Sequence, residues 1–376
     1  MIRSFIVTIS TTLNNYNMKL INKGILLIFL TQIFICSCSK DEKFDISKLE
    51  TEINADFSAD KEVVYLNDLV QFTNSSKGAT SYIWTFEGGN PESSTEENPV
   101  VRFAHKGKYK VSLKAFNDKD ETNEVVKSDY ITVYSKESWS QFVYPTIDFK
   151  NTSLSGNGAL YAQLVPKPEE LIRSVCFDVC NWLFMDVEEI DVLDKITYTI
   201  EDTDGISAKG GQPPHISIFF SSRYLETKQK EGLSDEELLK EIKGVLFHEI
   251  THGYQYSPIG AGSYESGTDF YGFIEGMADY VRYVSGYFTT ESRSIGGNWK
   301  DGYRTSGFFI DWLHSKDSNF LHKFNQTAKT INPWSWEAAT QEILQVSVSS
   351  LWQEYQNDLK SGKIDQIDQQ LKEQRN

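Results

Sequence analysis

Gly244-Val245-Leu246-Phe247-His248-Glu249-Ile250-Thr251-His252 contains the pattern HExxH, and its reading decides the second half of the chain. With six histidines in 376 residues, chance alone produces the pattern in about one chain in 100 of this composition, so the surroundings have to agree. They do. Ser234 and Glu237 form an S-x-x-E helix start, and Leu238, Leu239, Ile242, Val245 and Leu246 recur at helical spacing up to His248. Gly253, Pro258 and Gly260 end the helix soon after His252. Residues four apart share a helix face, so His248 and His252 can hold one ion while Glu249 stands beside it. Zinc suits that pair, because it takes a few nitrogen or oxygen ligands and in catalytic sites keeps one position open.

Two histidines do not complete such a site. The best third donor is Glu275 in Phe273-Ile274-Glu275-Gly276-Met277-Ala278-Asp279-Tyr280, 23 residues after His252. Phe270, Phe273, Ile274, Met277, Val281 and Val284 give this stretch an apolar helical stripe that ends near Gly286. Glu275 and Asp279 then share a face within an otherwise apolar run, where an unpaired charge would be expensive. Ligand histidines usually donate their second ring N–H to a carboxylate, and Asp279, one turn beyond Glu275, is placed to receive it.

An HExxH helix followed by a Glu-x-x-x-Asp helix resembles the gluzincin metallopeptidases. From about Tyr144 to Leu359 the chain is similar to the plant and bacterial basic secretory protein family of peptidases. The resemblance is carried by the helix Glu170 to Phe184, the strand Ile196 to Ile200 with Asp202-Thr203-Asp204-Gly205, and the strand His215 to Ile218. It continues through residues 244–252 and 273–282, Gly302-Tyr303 with the Phe308-Phe309 helix, and Ser347 to Trp352. The family name promises a basic protein, whereas this chain carries a net charge of −16, so charge expectations do not transfer. The resemblance implies an α+β zincin-like domain over residues 144–362 and a peptide substrate. It also implies that the strand His215 to Phe220 is the sheet edge with which an extended peptide pairs.

The chemistry follows from the residue types. Bound zinc lowers the pKa of water to about 7 and polarises a carbonyl, which leaves a base and an oxyanion donor to be found. Glu249 is the expected base, since its position one residue after His248 points it past the ion. Tyr303 or His215 could donate the hydrogen bond to the developing oxyanion.

Met18, Lys19 and Lys23 precede the apolar run Gly24 to Ile35, whose 12 residues suit a secretory leader and fall short of the roughly 20 needed to span a bilayer. Ser37 before Cys38 looks like a lipobox, so residues 1–38 are expected to be a leader starting at Met18, with Cys38 acylated. Ser39-Lys40-Asp41-Glu42 resembles the export signal of surface lipoproteins, which implies an outer-membrane or cell-surface location. Residues 39–54 form a polar tether. From residue 55 to 134 the pattern alternates with period two: Tyr82, Trp84 and Phe86, then Tyr109, Val111, Leu113 and Ala115, with turn residues at Asn74 to Gly78, Gly88 to Pro91 and Lys106 to Lys108. This predicts an antiparallel β-sandwich. Trp84-Thr85-Phe86-Glu87-Gly88-Gly89 and His105-Lys106-Gly107-Lys108-Tyr109-Lys110-Val111 resemble a PKD domain, with Thr85 and Gly89 in place of the usual aspartates. Residues 135–143 would link two independently folding modules, and residues 363–376 form a polar tail.

Cys176 and Cys180, four apart on an expected helix, have nearly parallel side chains and are expected to be buried thiols. The acidic balance argues against nucleic acid and against an anionic membrane surface, so membrane contact should come through the lipid alone. The fold class is therefore multidomain, an all-β sandwich followed by an α+β metallopeptidase-like domain. The expected function is that of a lipid-anchored zinc peptidase. Competing readings are a glycan- or protein-binding lipoprotein without turnover, and a zinc hydrolase of another amide or ester. A degenerate binder would normally have lost Glu249 or a ligand.

Overall fold

The alternation between residues 55 and 134 becomes two facing sheets in the computed structural model, which describes residues 52–153 and 156–364. The leader with Cys38, the tether as far as residue 51 and the tail from residue 365 lie outside the described residues. One sheet holds β1 (Phe57–Ala59), β3 (Leu69–Asn74), β7 (Val100–Phe103) and β5 (Gly89–Asn90) in the order β1-β3-β7-β5. The other holds β2 (Val63–Tyr65), β9 (Thr122–Tyr134), β8 (Gly107–Phe116), β4 (Ser81–Phe86) and β6 (Ser93–Ser94) in the order β2-β9-β8-β4-β6. Trp84, Phe86, Val111 and Leu113 point inward against Phe57, Phe72 and Val101, and Trp84 Nε1 donates to the Glu96 carbonyl at 2.9 Å. Period-two burial explains the sandwich. The pairing departs from the all-antiparallel expectation at β2, which runs parallel to β9, because the chain crosses to the second sheet after β1 and does not return through a hairpin.

The second half begins with β10 (Thr146–Asn151), α1 (Asn157–Leu164) and α2 (Pro168–Leu183), followed by β11 (Lys195–Glu201), β12 (Ser207–Gln212) and β13 (His215–Ser221). These strands form a sheet in the order β10-β11-β13-β12. β10, β11 and β13 are parallel, and β12 turns back antiparallel on β13. The strand beginning at His215 is therefore interior, contrary to the expectation drawn from resemblance. Its neighbour β12 is the edge, reached through the tight return at Pro213-Pro214.

Helices α3 (Ser222–Lys230), α4 (Asp235–Tyr254), α5 (Asp269–Val284), α6 (Tyr303–His314), α7 (Phe320–Thr330), α8 (Trp336–Leu344) and α9 (Val348–Ser361) complete the domain. The expected capping box of α4 is present, with Glu237 Oε2 accepting from Ser234 N at 2.8 Å and Ser234 Oγ accepting from Glu237 N at 3.4 Å. Leu238, Ile242, Val245, Leu246 and Ile250 of α4 are buried, each contributing about 1.5–3 kcal/mol of hydrophobic stabilisation. Close approach sets where α5 and α6 cross. A Cβ on Gly276 would stand 2.5 Å from Ser306 Cβ, and one on Gly307 would stand 3.2 Å from the Gly276 carbonyl oxygen. Cys176 and Cys180 are buried free thiols. Among the described residues no helix is long and apolar enough to cross a membrane.

The sandwich is bonded to the second half through a short 3-10 turn, Val187–Glu189, itself closed by a capping box with Asp186. Tyr134, the last residue of β9, donates its hydroxyl to Glu189 Oε1 at 2.6 Å, and His322 Nε2 lies 3.0 Å from the same oxygen. Lys106 reaches Asp186 at 3.0 Å and Glu188 at 2.8 Å, and Asn319 Nδ2 donates to the Val63 carbonyl at 2.8 Å. Burial opposes the charge on Glu189, but His322 and the Tyr134 hydroxyl hold its carboxyl below the usual range. Truncating Glu189 orphans these partners. Glu189→Ala is expected to cost about 2–4 kcal/mol in denaturant unfolding, against less than about 1 kcal/mol for Lys167→Ala in an exposed pair. Equal midpoints for the two variants would refute the role of this junction.

Candidate metal centre

One face of α4 and one face of α5 meet at four titratable side chains. His248, Glu275 and Asp279 are buried, and His252 is 11% exposed at its side chain. His248 Nε2 lies 3.0 Å from His252 Nε2 and 3.2 Å from Glu275 Oε2, and His252 Nε2 lies 3.7 Å from the same oxygen. Donors bonded tetrahedrally at about 2.0–2.1 Å to one ion stand roughly 3.4 Å apart, which the three separations straddle. His248 Nδ1 lies 2.8 Å from Asp279 Oδ1. A carboxylate only accepts, so Nδ1 carries a proton, and Nε2 is the ring atom turned toward His252 and Glu275.

Charge makes the same point. Burial alone would discharge His248, but Asp279 and then Glu275 raise its pKa to about 10. His252 is pushed down to about 3 by burial and by the His248 charge. Burial would raise Glu275, but its contacts with both histidines take it down to about 2. The triad thus calls for positive charge at its centre. Two facing ring nitrogens and a buried oxygen, Glu275 Oε2, that no donor satisfies fit a divalent cation better than a single shared proton. Within the described residues this is the cluster able to hold a metal ion.

Glu249 lies beside the triad and is 6% exposed. Burial raises its pKa; the His248 charge, the Ser207 hydroxyl and the Lys209 backbone N–H oppose that shift. A cavity of about 790 Å³ opens in front of it, bounded by residues 207–213 of β12 and its turn, by Tyr256 and Tyr264, and by Phe270 and Ile274. Beyond Tyr303 a second recess of about 480 Å³ reaches Arg282 and Arg304.

Tyr303 is 48% exposed, and its ring stacks on His248 with centroids 5.7 Å apart and planes 9° from parallel. It opens α6 directly after Gly302, whose φ is +76° and where a Cβ would stand 2.9 Å from Glu275 Cβ. A side chain there would push the tyrosine off the site. His215 is placed differently. It pairs with Gln212 at the end of β12 and does not line the cavity, so the structure does not bring it to the cluster. Two residues that sequence reasoning missed do line it. The Tyr264 hydroxyl donates to Glu275 Oε1, leaving Oε2 for the histidine side, and Lys209 extends from the edge strand. Neither belongs to a recognisable spacing; Tyr264 follows the glycine-rich loop Gly260-Ala261-Gly262-Ser263.

An HExxH helix whose histidines face a carboxylate from the next helix, under an open sheet edge, defines a metallopeptidase-like centre. The signature of the family described as "Peptidase of plants and bacteria" matches residues 144–355, more than half of the 376 residues. The chain belongs to that family. Residues 54–129 match the PKD domain, and the sandwich is a PKD domain. The PKD1 domain of Vibrio anguillarum Epp is 25% identical over 22% of this chain and 98% of its own, with a TM-score of 0.19. The PKD1 domain of the Vibrio cholerae metalloprotease PrtV is 28% identical over 22% of this chain and 95% of its own, with a TM-score of 0.18. No curated protein matches the chain.

Proposed function

We propose that the protein is a zinc metallopeptidase, acting outside the cytoplasm from a lipid anchor at Cys38, with residues 39–54 as tether. The observation that carries the reading is the convergence of His248 Nε2, His252 Nε2 and Glu275 Oε2 on one point beside a buried Glu249. Those three residues would hold the ion, and Asp279 would fix the His248 ring. When bound, zinc supplies Lewis-acid polarisation of a carbonyl and brings the pKa of water to about 7.

The chain's own residues supply the rest. β12 ends the order of strands in its sheet, so an extended peptide can add along it as a further strand with its scissile bond in front of the triad. Glu249 takes the proton from the attacking water and passes it to the leaving amine. Its raised pKa places it closer to the range a general base needs. The Tyr303 hydroxyl, which lines the same cavity, donates to the carbonyl oxygen as charge develops there.

The full-length chain is expected to hold one zinc and to cleave members of a random peptide library. A chelator should abolish cleavage and added zinc restore it, because the ligands titrate and bind together. One zinc per chain with no hydrolysis of any peptide would replace this reading with that of a binding protein.

A further inference from the structure

We propose that Lys209 forms a carboxylate-binding subsite, so that the enzyme favours peptides bearing an acidic group next to the scissile bond. The inference rests on the peptidase reading above and adds a substrate class to it.

The register of β12 fixes where Lys209 points. Directly opposite residues of an antiparallel pair share a face of the sheet. Lys209 stands opposite Ile218, between the pairs Ser207 with Phe220 and Gly211 with Ile216. Ile216, Ile218 and Phe220 are buried, and a Cβ on Gly253 of α4 would stand 2.7 Å from Ile216 Cδ1. This is therefore the face covered by the HExxH helix. Lys209 extends at the open rim of that face, where it lines the larger cavity with Glu249 and His252.

Among the described residues its ammonium has no ion pair, only the field of Glu249. Arg282 in the neighbouring recess is held by Glu241 at 3.2 Å, and Arg304 rests over the Phe288 ring at 5.2 Å. Asp191, across the cavity, is taken by Lys329 at 2.8 Å. Among the described residues Lys209 has no such carboxylate or ring partner. It is nonetheless half-buried, and burial lowers its pKa while the charge of Glu249, which lines the same cavity, raises it. A half-buried ammonium without a counter-ion is costly unless something else supplies one, and the open side of its cavity is where substrate enters.

Its neighbours narrow the possibilities. Ala208, Gly210 and Gly211 flank it with almost no side chain, so along this stretch of edge a peptide meets bare backbone and one cation. Backbone pairing reads no sequence, and Lys209 supplies the selectivity. The chain's net charge of −16 does not override this, because charges farther than about 8–10 Å are largely screened at physiological salt.

The test uses matched peptides that differ only by Glu or Gln at each position flanking the cleaved bond. At one position the native chain should prefer Glu by about 10- to 100-fold in kcat/KM, the usual worth of a charge-assisted hydrogen bond, with most of the difference in KM. Lys209→Met should abolish the preference, Lys209→Glu should reverse it, and Lys209→Arg should keep most of it. An equal loss for Glu and Gln peptides in Lys209→Met would overturn the assignment and make Lys209 a general stabiliser of the reaction. The same outcome applies if the native chain shows no Glu preference at any position. Binding of the labelled pair to the Glu249→Gln chain, followed by fluorescence anisotropy, decides the point even if no peptide is cleaved. Failure of the peptidase reading is thereby separated from failure of the Lys209 reading.

Discussion

Glu249→Gln is expected to leave a chain that folds, holds its metal and has lost about 10²- to 10⁴-fold in turnover, the usual contribution of a positioned general base. The reasons are geometric. Glu249 is buried beside the triad but is not one of the three convergent donors, so the amide removes a proton acceptor without removing a ligand. Glutamine has nearly the same volume and keeps a carbonyl oxygen as acceptor where the carboxylate stood, which keeps packing close to native. Metal content, circular dichroism and kcat/KM measured on the same preparation separate the three claims. Parental turnover in this variant would end the mechanism proposed here even with zinc in place.

His248→Ala, His252→Ala and Glu275→Ala should each abolish stoichiometric zinc. Asp279→Asn should retain zinc but weaken its affinity by about 10- to 100-fold, because the amide keeps an acceptor for the His248 ring and loses the charge that strengthens it. The two classes differ in kind. A lost ligand removes one of only three protein donors, whereas a lost charge on Asp279 acts through His248, 2.8 Å away. Titration against a metal buffer gives the affinities, and thermal unfolding of the metal-free chains controls for folding. An anomalous-scattering map with zinc bound away from residues 248, 252 and 275 would refute the assignment.

Much of the catalytic half was legible because its elements follow one strong period each. The capping box at Ser234 and the stripe from Leu238 to Leu246 located α4, and the apolar stripe from Phe270 to Val284 located α5. The spacing of Glu275 and Asp279 on α5 then pointed to the contacts now seen with the histidines. The sandwich announced itself through Trp84, Phe86, Val111 and Leu113. The edge strand did not. Ser207-Ala208-Lys209-Gly210-Gly211-Gln212 has neither β-branched residues nor alternation, since one side of it faces a cleft and its pairing depends on β13. The better-patterned strand at His215 attracted the assignment of edge, although its apolar residues are a sign of burial between neighbours. Tyr264 escaped because a loop residue is placed by tertiary contacts that no local period encodes. The junction at Glu189 was hidden for a related reason: a capping turn of three residues carries no signal that Tyr134 and His322 will converge on it.

That junction also gives the molecule a mechanical character. Glu189 ends the 3-10 turn gripped by the sandwich, and two residues later Asp191 stands in the wall of the catalytic cavity. Tyr256, which also lines that cavity, gives its hydroxyl to the Glu189 carbonyl. A pull entering at the start of the sandwich therefore has two routes into the second half, along the chain from Tyr134 into β10 and through the Tyr134 and Lys106 side chains into residues 186–191 beside the cleft. Were the chain held by its N-terminal side at a surface, as proposed above, tension on the sandwich would reach the residues that wall the cavity by the second of these routes.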